Sequence, residues 1–263
     1  MITSARPLAA LESLDGYRQF FMDGTLWRPF VERVCRGSGW TCNLVRPGVA
    51  GTFPTFIVDE QQVIKFFGPL FDGKTCWRVE QEAAQLMEDL PAVPVARLLA
   101  SGVLEMEPGW YYLVFKYVPG VSIGEVYAEV PLEDKLSLAR WLGEWLPRMH
   151  RIKVRDGTTL PALSVGLTRG WFSTRWPEER RKWPVHLAGQ VEEYLSANAG
   201  FLQSGSDCFI HADLTRDHII GRLADGHWST LGIIDFGDAM LANIYYELTA
   251  LRLNLFDCDK HLL

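Results

Sequence analysis

Apolar residues recur along this chain in two rhythms, and the change from one to the other predicts its organisation. Over residues 11–36, Leu11, Leu14, Phe21, Leu26, Phe30, Val31 and Val34 are spaced for burial on a helix, interrupted near Asp23-Gly24 and Arg28-Pro29. Strand signals follow at residues 43–45, 52–58 and 63–67. Residues 76–90 predict a helix, because Val79, Ala83, Leu86, Met87 and Leu90 share its spacing, and Pro91 and Pro94 end it. Two more strands are expected at 97–102 and 110–118 before Pro119-Gly120 breaks the pattern. Beyond that break the chain reads as largely helical, except for a hairpin formed by 219–220 and 228–234 around an Ala224-Asp225-Gly226 turn. Strands first and helices later predict an α+β chain with a β-rich lobe over 1–118 and a mainly helical lobe over 119–263.

Two polar motifs stand out from this background. The first is Phe209-Ile210-His211-Ala212-Asp213-Leu214-Thr215-Arg216-Asp217-His218, and the second is Leu231-Gly232-Ile233-Ile234-Asp235-Phe236-Gly237-Asp238. A strand-like apolar run leads into each, so Asp213 and Asp235 are expected where a buried strand gives way to a loop. The hairpin between the motifs would gather Asp213, His218 and Asp235 at one end. Phosphoryl transfer requires such a cluster: one carboxylate to orient a hydroxyl and two ligands for a nucleotide-bound metal.

The pattern resembles the kinase-like aminoglycoside phosphotransferase family. The family's His-x-Asp-x-x-x-x-Asn loop matches His211, Asp213 and position 218, and its Ile-Asp-Phe/Trp-Gly-Asp motif matches Ile234 to Asp238. His218 stands where most relatives carry asparagine. The branch that phosphorylates the 2''-hydroxyl of aminoglycosides also has histidine there, in stretches similar to Asp217-His218-Ile219 and to Ile233 through Ala239. The resemblance runs over most of residues 40–255 and implies a protein-kinase-like two-lobe fold.

It also implies roles. Arg46-Pro47-Gly48-Val49-Ala50-Gly51-Thr52 resembles the loop that covers the nucleotide, where glycines let backbone amides approach phosphate. Lys65, flanked by Ile64 and Phe66 on a strand, either points to solvent or serves a specific charge; the family's phosphate-contacting lysine occupies such a strand. Its glutamate partner on the next helix would be Glu82, with Glu80 as the other candidate. Residues 113–120 resemble the segment crossing between lobes, with Lys116 and Val118 reading the base edge through their backbones and Phe115 influencing base selection. Asp213 would orient the acceptor hydroxyl, while His218 and Asp235 would hold the divalent ions, magnesium (Mg2+) first, that bridge the phosphates of ATP or GTP. His211 is expected to brace the loop, as is Glu247, and His150 to be structural. Asp217 is either second to His218 or a turn residue. Asp238 would face the acceptor, cap the helix starting near Asn243, or anchor the loop. Trp171, Trp176 and Trp183, in an Arg-rich stretch, suit a pocket wall or a partner surface.

A competing motif is present. Gly68 through Thr75 matches G-x-x-x-x-G-K-[ST], the P-loop signature, with Leu231 to Asp235 as a possible Walker-B strand. Against it stand the bulky Leu70 and Phe71, the lack of regular strand–helix alternation after residue 90, and the absence of any task for His211 to His218.

Composition changes the picture only at the margins. The chain has 263 residues, 48% hydrophobic and 22% charged, with a net charge of −6. That balance argues against a nucleic-acid surface, and no apolar run approaches the roughly 18 residues of a membrane span. Five cysteines without a CxxC pair suit reduced thiols in a cytoplasmic protein. The chain stops soon after Glu247, where relatives carry further helices around the acceptor, so a truncated or reduced acceptor lobe is expected. The expectation is thus a phosphotransferase moving a γ-phosphoryl group to a small-molecule hydroxyl, aminoglycosides first, with a nucleotide-binding module lacking transferase activity as the rival. The oligomeric state is left open.

Overall fold

The computed structural model describes residues 7–49, 51–90, 93–105, 107–163, 179–197 and 207–262. Its N-terminal part is a five-stranded sheet of β1 (Val45–Pro47), β2 (Thr55–Val58), β3 (Gln62–Phe67), β4 (Leu98–Val103) and β5 (Tyr111–Lys116), ordered β1-β2-β3-β5-β4. Every neighbouring pair is antiparallel.

Period-two alternation gives the sheet two unlike faces. Phe56, Val58, Ile64, Phe66 and Val114 form one core with Trp27, Phe30, Val31 and Val34. Those four belong to α2 (Gly24–Gly37), which follows α1 (Leu14–Phe20), and Trp27 stacks on Phe66 at 4.5 Å between ring centroids. Asp23 separates the two helices by capping α2, its carboxylate accepting from the Thr25 and Leu26 amides. The expected second interruption, at Arg28-Pro29, does not occur, because α2 runs through Pro29. An internal proline costs about 3 kcal/mol, whereas burying each large apolar side chain returns roughly 1.5–3 kcal/mol. Trp27, Phe30 and Val31 together outweigh the proline.

The opposite face carries Phe67 and Leu113, clustered with Phe53, Trp77 and Phe115. Lys65 lies on this face by alternation, paired across the strands with Leu113. Helix α3 (Gly73–Glu88) crosses here: Trp77 stacks on Tyr111 at 4.8 Å, while Val79, Ala83 and Met87 enter the core of the C-terminal part.

That second core is built on α5 (Leu132–Met149), which contributes Leu138, Leu142, Trp145, Leu146 and Met149. Helix α4 (Ile123–Val126) precedes it, and α6 (Val185–Ala197) and α7 (Ile244–Ala250) follow. Strand β6 (Val121–Ser122) pairs with β8 (Ile219–Ala224), which forms the expected hairpin with β9 (His227–Ile233). Asp225 and Gly226, at φ 53° and 78°, make the two-residue turn between them. Strand β7 (Cys208–Ile210) pairs with β10 (Met240–Ala242).

This topology excludes the P-loop reading. A P-loop strand belongs to a parallel sheet, whereas β3 is antiparallel to both neighbours and β9 is antiparallel to β8. The Gly68–Thr75 turn is also folded onto itself: a Cβ on Gly73 would lie 2.1 Å from the Gly68 carbonyl oxygen. Phe71 and Asp72 adopt left-handed φ values of 57° and 52°.

Candidate active site

The site forms where β3, α3 and the loops after β7 and β9 meet. Lys65 Nζ lies 2.8 Å from Glu80 Oε2 and 2.8 Å from Asp235 Oδ1. The lysine and Glu80 side chains are only 11% and 3% exposed, while Asp235 is 38% exposed and opens toward solvent. Burial alone would push the Lys65 ammonium down, but the facing Asp235 and Glu80 carboxylates outweigh it and raise its pKa. Burial likewise opposes charge on Asp235, yet Lys65 first and His218 next hold that carboxylate well below its usual range. Glu80 is pushed up to about 7, because burial exceeds the help from Lys65.

The structure corrects the expected lysine partner. Glu82 does not face Lys65; its carboxylate accepts from the Thr158 hydroxyl at 2.6 Å and from the Thr159 amide at 2.7 Å. Successive helical residues turn by about 100°, so positions 80 and 82 point to nearly opposite sides of α3. Glu80 shares the buried face with Val79, Ala83, Ala84 and Met87, which fixes it toward the lysine.

The loop after β7 is held by its own side chains. His211 is buried, and burial, followed by the nearby His218, lowers its pKa to about 4, so its ring is neutral. Nε2–H donates to the Ile234 carbonyl at 3.1 Å, which leaves Nδ1 to accept the Asp213 amide at 3.4 Å. One imidazole thereby ties the Asp213 loop to the strand end that carries Asp235. Ala212 and Asp235 both adopt left-handed φ values, 69° and 62°. For alanine that conformation is disfavoured, and Glu247 on α7 holds it by accepting the Ala212 amide at 3.2 Å. Arg216 anchors the next turn, donating from Nε to the Leu255 carbonyl at 2.9 Å and lying 3.4 Å from the Tyr127 ring centroid.

His218 is oriented by similar logic. Its Nδ1 bonds the Asp213 carbonyl, which can only accept, so Nδ1 carries the proton. Its Nε2 lies 4.0 Å from Asp235 Oδ2. Asp213 Oδ2 lies 3.8 Å from Nδ1 on the other side. Burial, together with Asp238 and Asp235, raises the Asp213 pKa against the opposing influence of His218.

A model of the phosphotransferase enzyme family, APH, matches residues 77–257, which include Glu80 and both loops. The chain belongs to the phosphotransferase enzyme family. Solved structures share its fold. The GDP and kanamycin complex of APH(2'')-IIia is 19% identical, with a TM-score of 0.70 over 90% of this chain and 81% of that one. The streptomycin-ATP ternary complex of APH(2'')-IIa is 21% identical, with a TM-score of 0.61 over 85% and 74% of the two chains. A microcompartment-associated aminopropanol kinase is 16% identical, with a TM-score of 0.60 over 84% and 74%.

The remaining expected residues of this phosphotransferase-family chain fall as follows. Phe115 lies on the Lys65 face of the sheet. The Lys116 amide is committed to the Arg97 carbonyl at 2.8 Å, so only its carbonyl side can read a ligand. The Val118 side chain approaches Gly232 of β9. Asp217 and Asp238 are exposed, and α7 is capped by Asn243 itself rather than by Asp238. Trp183 is exposed, and Trp171 and Trp176 lie outside the described residues. Among the described residues no three His, Cys, Asp or Glu side chains form a metal cage, and no helix is long and apolar enough to cross a membrane.

One contact escaped the motif reading entirely. Tyr17 on α1 is buried and donates its hydroxyl to the Thr52 carbonyl of the glycine-bearing loop. No local pattern marks that tyrosine, since its partner lies in another element.

Proposed function

We propose that this chain transfers the γ-phosphoryl group of ATP or GTP to a hydroxyl of a small amine-bearing molecule, with aminoglycosides the first acceptors to test. The observation that carries this reading is the convergence of Lys65, Glu80 and Asp235 into one ion network, with His218 and Asp213 at its open edge. Lys65, held by Glu80, is suited to the nucleotide phosphates. Residues 115–118 would frame the base, with the Lys116 carbonyl and Val118 amide at its edge. Asp235 and His218 Nε2 would hold the divalent ion, with Asp235 as the oxygen ligand that magnesium prefers and phosphate oxygens and water completing its shell. Magnesium there would supply charge neutralisation on the phosphoryl group in flight.

Asp213 faces the open side, where it would accept or orient the acceptor's hydroxyl proton; most of its benefit is positional. Exposed Asp217 and Asp238 beside it make this edge acidic, which favours a cationic acceptor. The relatives' ligands named above, kanamycin and streptomycin, and the aminopropanol of the third, are amine-bearing alcohols. The five free cysteines accord with a reducing, cytoplasmic setting.

The test is magnesium-dependent transfer from ATP and GTP across aminoglycosides and simpler amino alcohols, with Asp213→Ala in parallel. Transfer that falls at least ~100-fold in the variant is expected. Nucleotide binding without transfer to any acceptor would point instead to a binding module.

A further inference from the structure

Glu80 can meet Lys65 only if α3 is held at the right height and rotation against the C-terminal part. The residue doing this on the open side of the helix is Glu82. Its two carboxylate oxygens accept from the Thr158 hydroxyl, the Thr159 amide and the Thr159 hydroxyl. The rest of that side is held by Trp77, which stacks on Tyr111, and by Leu86, which packs against the second core. A cavity of about 680 Å³ runs along it, lined by Trp77, Arg78, Gln81, Lys153 and Arg155 as well as Glu82. Between Trp77 and Leu86 the helix is held by one carboxylate and its three donors.

The segment that supplies those donors leads directly to the catalytic loops. Leu241 of β10 donates its amide to the Pro161 carbonyl at 2.8 Å and accepts the Leu163 amide at 2.8 Å. Leu241 is paired with Phe209 of β7, the strand that runs into His211 and Asp213. Asp235 lies on the chain just before β10. A continuous backbone and hydrogen-bond path thus joins Glu82 to both ends of the site.

The geometry points to Glu82 as a positioning residue that couples the Lys65–Glu80 pair to the Asp213 loop through Thr158 and Thr159. It acts on the reaction through Glu80 and touches neither nucleotide nor acceptor. This inference rests on the phosphotransfer reading for its kinetic consequence, but not for its structural one.

A double-mutant cycle separates this role from general support of the fold. Glu82→Ala, Glu80→Gln and the double variant are compared in the full chain by ATP and GTP affinity, kcat, and amide hydrogen exchange across Gly73–Glu88. In the wild-type background, Glu82→Ala should speed exchange in α3 and reduce kcat about 10- to 100-fold, the scale of loss from a small misplacement. In the Glu80→Gln background the same change should cost less than about twofold. Equal losses in both backgrounds, or unchanged exchange in α3, would overturn the coupling. Should Glu82→Ala fail to fold, Thr158→Val and Thr159→Val each remove a single donor and carry the same expectation at smaller amplitude. If the wild-type chain transfers phosphate to no acceptor, the functional reading falls while the exchange and affinity arms still decide the tether.

Discussion

Two buried residues that hold the loop after β7, His211 within it and Glu247 on α7, make opposite contributions to the pH dependence of stability. Burial lifts Glu247 from the usual 4.5 to about 7. A raised carboxyl stabilises the fold fully below its unfolded value, and that contribution is lost as pH rises through the folded value. Glu247→Gln keeps an oxygen to accept the Ala212 amide but carries no charge. Between pH 4.5 and 7 the variant should gain roughly 2–3 kcal/mol on the wild type, read from denaturant midpoints at each pH; a constant gap would contradict the burial of an ionising group. His211 works the other way. Its pKa drops from the usual 6.5 to about 4, so its contribution is complete above 6.5 and vanishes as pH falls through about 4. Asp213 and Asp235 were legible in the sequence because each ends an apolar run. The tautomers of His211 and His218 were not, because they follow from carbonyl partners at Ile234 and Asp213 that only the folded loops supply.

At the scale of elements, the Gly68–Thr75 turn shows how a motif can match in letters and fail in geometry. Its glycines serve packing rather than phosphate. A Cβ on Gly68 would lie 2.4 Å from the Trp110 ring, whereas one on Gly51 meets nothing within 4 Å. Gly68→Ala should therefore destabilise by about 1–3 kcal/mol through overpacking, with Gly51→Ala near neutral, as urea denaturation would register. Lys74→Ala should leave nucleotide affinity within about twofold, since the exposed Lys74 is not among the groups that meet at Asp235. The presence and order of α3 and of the β8–β9 hairpin followed from local spacing and from Asp225-Gly226, though α3 begins three residues earlier than expected, at Gly73, and β8 runs on to Ala224. The rotational phase of α3 did not. Glu82 was the expected partner and Glu80 the other candidate, and the choice between them is made by Val79, Ala83 and Met87 packing into a core built mostly from residues beyond 120.

For the molecule as a whole, the decisive contact joins residues 170 positions apart, Lys65 to Asp235. Removing the lysine leaves Glu80 and Asp235 facing each other without a cation. Breaking one partner of a buried ion network costs about 3–5 kcal/mol, so Lys65→Ala should lower the thermal midpoint of the free protein. It should also weaken ATP or GTP binding about 10- to 100-fold, the worth of a charge-assisted contact. The wild type at 100 times its Kd gains about 2.7 kcal/mol from nucleotide, and at the same concentration the variant should keep only about 0.4–1.4 kcal/mol of it. A full nucleotide shift in Lys65→Ala would remove the lysine from the site.

By itself the sequence determined what short-range physics controls: the order of strands and helices, the turn residues, and the two loops that present Asp213 and Asp235. Those signals act over a few residues, through side-chain periodicity and backbone preference. The tertiary structure alone decided that Glu80 rather than Glu82 meets Lys65, that β3 lies in an antiparallel sheet, and that Glu82 ties α3 to Thr158 and Thr159. Each of these depends on how one element is rotated and seated against another far along the chain, and that is set by the shared cores rather than by any local run of residues.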